Sequence, residues 1–136
     1  MKLPVIGELL AKLGAASRAA TAVAVRDMFV HQDLVNDEVI DAIWRPATRP
    51  DNVHATYELE RGLDWQITEA ALPRTRQPAL VVWGAQDSVL PVAQAARFAR
   101  LMPDARVHVL DGCGHALTLD CPDQVATLMG DFLGDR

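Results

Sequence analysis

The sequence predicts an α/β fold, with a helical first half followed by strand, helix, strand, helix and the two strands parallel. Three observations predict it. "ALVVW", residues 79–83, is an unbroken apolar run rich in β-branched residues that ends at Gly84, so it reads as a strand buried on both faces. "RVHVL", residues 106–110, reads as a second strand. Between them "PVAQAARFARLM", starting at Pro91, has helical periodicity, and a crossover of that length joins parallel strands with a right-handed connection.

Upstream of the proline-rich "PRTRQP", residues 73–78, only helices are expected. Val5, Ile6, Leu9, Leu10 and Leu13 recur at helical spacing, with Pro4 suited to the first turn, Gly14 a candidate interruption, and an alanine-rich continuation toward Met28. "NDEVIDAIW" reads as a second helix, capped by Asn36, with Asp37 and Glu38 in the first turn and Pro46 as its stop. Pro50 opens a third helical stretch, "NVHATYELERGLDWQ", in which Gly62 is a weak point. In the second half Val92, Ala95, Ala96, Ala99 and Leu101 or Met102 should face inward. The closing helix begins at Pro122 and carries Val125, Leu128, Met129 and Phe132 as its stripe.

With 136 residues the chain suits one compact domain, and its 50% apolar and 23% charged residues are ordinary for a globular protein. Thirteen basic against 18 acidic residues give a net charge of −5, and no basic cluster offers itself to nucleic acid. No stretch approaches the apolar length of a membrane span, and Glu8, Lys12 and Arg18 interrupt the apolar core a signal peptide needs. Two cysteines make no disulfide framework; Cys113 and Cys121 could suggest a thiol nucleophile, a disulfide or, with His115, a metal site, but their spacing matches no zinc pattern. They are expected to be buried thiols in a reducing, cytoplasmic compartment.

The chemistry is expected where the two strands end. Parallel strands deliver their following loops to one edge, and that edge is where open α/β sheets bind ligands. Past the first strand lies "WGAQD" with Asp87, and past the second lies "DGCGH" with His115. Strands about 4.8 Å apart allow these side chains to touch. A carboxylate on one imidazole nitrogen fixes the tautomer and leaves the other nitrogen to take a proton. Asp111 is a rival partner for His115, although its place on the same loop suits turn capping better. Asp87 itself could serve as a turn or helix-capping acid ahead of the following helix. His31, His54 and His108 have no partner at motif spacing. Trp44, Tyr57 and Trp65 are read as helix-packing residues, with a pocket lining as the alternative.

Two segments, "PALVVWGAQDSVLP" and "LDGCGHALTLDCPDQV", resemble the C-terminal part of the α/β-hydrolase fold, including the H-x-x-x-x-D-x-P lead into the last helix. The resemblance covers residues 78–133. It implies that Asp87 is the acid and His115 the general base of a catalytic triad. It also implies that residues 1–72 form a helical cap, that residues 73–136 are the C-terminal part of the core, and that the substrate is a small ester or related molecule. No metal or organic cofactor is called for.

The family's nucleophile precedes the acid and histidine on a G-x-S-x-G turn. Ser17 in "GAASRAA" and Ser88 directly after Asp87 fit no such elbow, and no oxyanion loop is evident. The expectation is therefore a fragment severed from its nucleophile half and inactive alone. Because "ALVVW" lacks polar alternation, the alternatives are a binding or complementation module that pairs its strand edge with another chain, or an unstable remnant.

Overall fold

A computed structural model describes residues 17–134. The helix expected over Val5–Leu13 lies outside these residues. Seven helices and two strands follow in chain order: α1 (Arg18–Asp27), α2 (Asp37–Ala47), α3 (Pro50–Gly62), α4 (Trp65–Ala71), β1 (Ala79–Gly84), α5 (Ala93–Leu101), β2 (Ala105–Leu110), α6 (Leu117–Asp120) and α7 (Pro122–Gly134). Short 3₁₀ turns occupy Gln32–Leu34 and Leu72–Arg74. The chain divides into two compact units, one running to Arg26 and resuming over Val35–Leu63, the other made of Asp27–Leu34 and Asp64–Arg136.

The first unit holds α1, α2 and α3. Its buried apolar side chains include Ala22 and Val25 of α1 and Ile40 of α2. Arg18 ties α1 to α2, with Nε 2.6 Å from Asp41 and an Nη 2.7 Å from Asp37. Asn36 caps α2, accepting from the Val39 N–H at 3.0 Å. Pro46 does not stop α2 as expected: the helix runs through it to Ala47. So close to the C-terminus the ring costs the helix little, because the Thr48 N–H still closes the last turn on the Trp44 carbonyl at 3.1 Å. Pro50 does open α3.

The second unit is built on β1 and β2. They pair in parallel, with Ala79 opposite Ala105 and Gly84 opposite Leu110, and form a two-stranded sheet. Successive side chains alternate between faces. Trp83 meets Phe98 of α5 on one face, ring centroids 6.2 Å apart. Leu80, Arg106 and His108 look toward Leu128 and Phe132 of α7 on the other. β1 is half-buried along Ala79–Trp83, not buried on both faces as its apolar run suggested. Among the described residues each strand has a partner on one side only, so the sheet is too narrow to enclose it.

The helices differ in detail from their sequence patterns. α5 begins at Ala93, two residues after Pro91, and buries Ala95, whereas Val92, Ala96 and Ala99 are exposed. α7 begins at Pro122 as expected and buries Val125, but Met129 faces solvent. Asp64 caps α4, and Trp65 and Ile67 are 70% exposed, so among the described residues Trp65 does not take the helix-packing role expected of it.

Candidate active site

β1 ends in Gly84 and β2 in Leu110, level with each other across the ladder, so the loops that follow leave the sheet side by side. They are laced together. The Ala85 N–H donates to the Leu110 carbonyl at 2.9 Å and the Gln86 N–H to the Cys113 carbonyl at 3.1 Å. The Gln86 side chain adds two bonds, donating to Asp111 at 2.9 Å and accepting from the Gly112 N–H at 2.8 Å. Asp111 is therefore engaged by Gln86 and is not the partner of His115.

The glycines of "DGCGH" have separate jobs. Gly112 adopts φ +75°, the left-handed conformation that other residues resist. Gly114 has no room for a side chain, because a Cβ there would lie 2.5 Å from the Met28 carbonyl oxygen. Gly84 is equally constrained: a Cβ would overlap the carbonyl oxygens of Cys113 and Gly114.

The two residues singled out by sequence meet here. His115 Nδ1 lies 3.0 Å from one Asp87 oxygen and 3.1 Å from the other. The Asp87 side chain is 6% exposed and that of His115 27%, so the carboxylate is enclosed while the imidazole reaches the surface. Asp87 also organises its own turn, accepting from the N–H groups of Val89 at 2.9 Å and Leu90 at 2.8 Å. The turn-acid and histidine-partner readings thus hold together. Burial pushes the Asp87 carboxyl up, but the Leu90 N–H, the His115 ring and the Val89 N–H outweigh it and hold the carboxyl below its ordinary value. Among the described residues nothing bonds His115 Nε2.

Both serines are hydrogen-bonded. The Ser88 hydroxyl donates to the Asp27 carbonyl, and the Ser17 oxygen caps α1 by accepting from the Ala20 N–H at 3.3 Å.

The cysteine expectation is corrected. Cys113 and Cys121 form a disulfide, their Cα atoms 6.0 Å apart. The single turn of α6 folds the chain back on itself and brings together two residues separated by 8 in sequence. The reading of a reducing compartment rested on free thiols, and this bond removes its basis. His31, Asp120 and Cys121 cluster closely enough for a metal, but the Cys121 sulfur is spent in the disulfide. Asp120 is also spoken for, since it accepts from the N–H groups of Val30, His31 and Gly114 and pairs with the His31 ring. An open cavity of about 410 Å³, lined by Leu80, Arg106, His108, Leu128, Asp131 and Phe132, lies over the middle of the strands and includes neither Asp87 nor His115.

Comparison with known proteins agrees with the fold. A model of the alpha/beta hydrolase family matches residues 3–128. The chain belongs to that family. It is 41% identical over 85 residues to the pimeloyl-[acyl-carrier protein] methyl ester esterase of Aromatoleum aromaticum, covering 62% of this chain and 33% of that one. It is 28% identical over 111 residues to the 2-hydroxymuconate semialdehyde hydrolase of Pseudomonas sp., covering 76% and 39%. The chain thus spans well under half the length of these curated relatives. A meta-cleavage product hydrolase from Pseudomonas fluorescens superposes with a TM-score of 0.70 over 88% of this chain and 46% of that one, at 18% identity, which speaks to the fold alone. Among the described residues no helix is long and apolar enough to cross a membrane.

Gly84→Ala should force the two loops apart and destabilise the protein by roughly 1–3 kcal/mol, as overpacking does. Denaturant unfolding checks this, and an unchanged midpoint would contradict the close approach. The lowered Asp87 carboxyl also sets a pH dependence. Its bonds stabilise the native state fully above the ordinary value of 3.8, and that contribution disappears as pH falls through the lowered native value. The unfolding free energy should therefore fall with acidification below about pH 4, and less steeply in Asp87→Asn. Parallel curves for the two proteins would rule out Asp87 as a contributor.

Proposed function

We propose that this chain carries the acid and base of a hydrolase acting on a small ester or related substrate, with His115 as general base and Asp87 as the group that orients it. The observation that carries this reading is the Asp87 carboxylate seated on His115 Nδ1 at the ends of adjacent parallel strands. Held on that side, the imidazole keeps its proton on Nδ1 and presents Nε2 as the basic nitrogen. Nε2 would take the proton of an attacking nucleophile and return it to the leaving group, while Asp87 stabilises the imidazolium between those steps. The named esterase relative favours an ester substrate. Within this reading residues 1–72 supply a helical cap and residues 73–136 the last part of the hydrolase core. No cofactor takes part.

In this reading neither serine is the nucleophile, because neither Ser17 nor Ser88 sits on a G-x-S-x-G turn. The purified chain should therefore give only background hydrolysis of short-chain nitrophenyl esters, and His115→Ala should change nothing. Turnover abolished by His115→Ala would overturn the claim of inactivity in isolation. The base assignment has its own test. Nitrogen NMR should find neutral His115 with its proton on Nδ1, moving to Nε2 in Asp87→Ala. An Nε2 proton in the unaltered chain contradicts the assignment.

A second reading has a specific observation in its favour. Among the described residues β1 and β2 form a sheet of only two strands, and the apolar β1 stays half-buried. The open edge would then pair with a strand of another chain, making this a binding or complementation module. Sedimentation over a wide concentration range should show association under this reading, whereas a cooperative, strictly monomeric fold would exclude it.

A further inference from the structure

Asp120, the last residue of α6, is buried with no side-chain exposure and lies five residues past His115. One of its oxygens accepts from the Gly114 N–H at 2.7 Å and from the Val30 N–H at 3.0 Å. The other accepts from the His31 N–H at 2.9 Å and faces His31 Nδ1 at 3.0 Å. Burial raises the Asp120 carboxyl, but the Val30, His31 and Gly114 N–H groups, joined by the His31 ring, prevail and hold it below its ordinary value.

The placement of these bonds is what gives them meaning. Gly114 immediately precedes His115 and is bonded to Asp120. Ala116 immediately follows it, and its N–H donates to the Met28 carbonyl at 3.0 Å. The chain is thus tied to residues 28–31 at the Cys113–Gly114 peptide, through Asp120, and at the His115–Ala116 peptide, directly. Gly114 sits so close to Met28 that the backbone has no slack at this point. Ser88, next to Asp87, is bonded to Asp27 of the same segment. Residues 27–31 therefore brace both members of the pair.

We infer that Asp120 is a positioning residue for His115: it ties the backbone at Gly114 to Val30 and His31 so that the imidazole meets Asp87. The inference rests on the reading of His115 and Asp87 as base and acid. Asp120 touches no reacting group. It acts by denying the loop the small rotations that would carry the ring off the carboxylate, and displacements of about an ångström are enough to matter in such sites.

The test uses the full chain labelled with nitrogen-15. The unaltered protein should show a low-field proton on His115 Nδ1. Asp120→Asn should lose or displace that signal while cooperative thermal unfolding persists. His31→Gln, which leaves the Gly114 bond intact, should keep it. A folded Asp120→Asn chain with the His115 signal unchanged overturns the inference. Asp87→Asn tests the underlying pair separately: if it leaves the His115 signal in place, the acid assignment has failed, whatever Asp120 does. Should Asp120→Asn not fold, amide exchange in the unaltered chain decides the matter. The Gly114, Val30 and His31 amides share one carboxylate and should exchange with a common protection factor. Free exchange at Gly114 beside protected Val30 and His31 overturns the inference.

Discussion

The parallel pairing of β1 with β2 is the constraint on which the site depends. Its register sets Gly84 level with Leu110, and from there two loops must leave the sheet within contact of each other. Gly84 accepts that closeness because it has no side chain, and Gln86 binds both loops with its backbone and its amide. A slip of one residue would turn every strand side chain to the opposite face and separate Asp87 from His115. The Asp87–His115 contact is thus a consequence of ladder geometry plus one missing methyl group.

Two buried carboxylates hold His115 in place in related ways. Asp87 and Asp120 are each pushed up by burial and brought back down by backbone N–H groups and a histidine ring. In both cases hydrogen bonding outweighs desolvation, so both stay charged at neutral pH. Asp87 meets the imidazole itself, while Asp120 meets the backbone that carries His115. The disulfide between Cys113 and Cys121 spans the same loop and joins it covalently to the start of α7.

Much of this was legible in the sequence because the signals are local. "ALVVW" and "RVHVL" became β1 and β2, and the loops after them carried the two residues that meet. Asn36 and Pro50 marked helix starts for the same reason: capping acts within one turn. What escaped was long-range or degenerate. Asp120 appeared only as a letter in a motif, since its partners Val30 and His31 lie 90 and 89 residues away. The cysteine pairing was hidden because a spacing of 8 is decided by how α6 folds back, not by composition. Ala96 and Ala99 satisfied helical periodicity yet lie exposed, because alanine carries too little apolar area to say which face turns inward.

Family membership and fold agree with the pair at the strand ends, and the esterase relative gives the proposed chemistry its direction. The contact between Asp87 and His115 remains the hinge of that proposal. A double-mutant cycle measures it most directly, using the unfolding free energies of the unaltered chain, Asp87→Asn, His115→Gln and the double variant. A bonded pair should show a coupling energy of about 0.5–3 kcal/mol. Strictly additive effects would mean the two side chains do not interact, and would contradict the site described above.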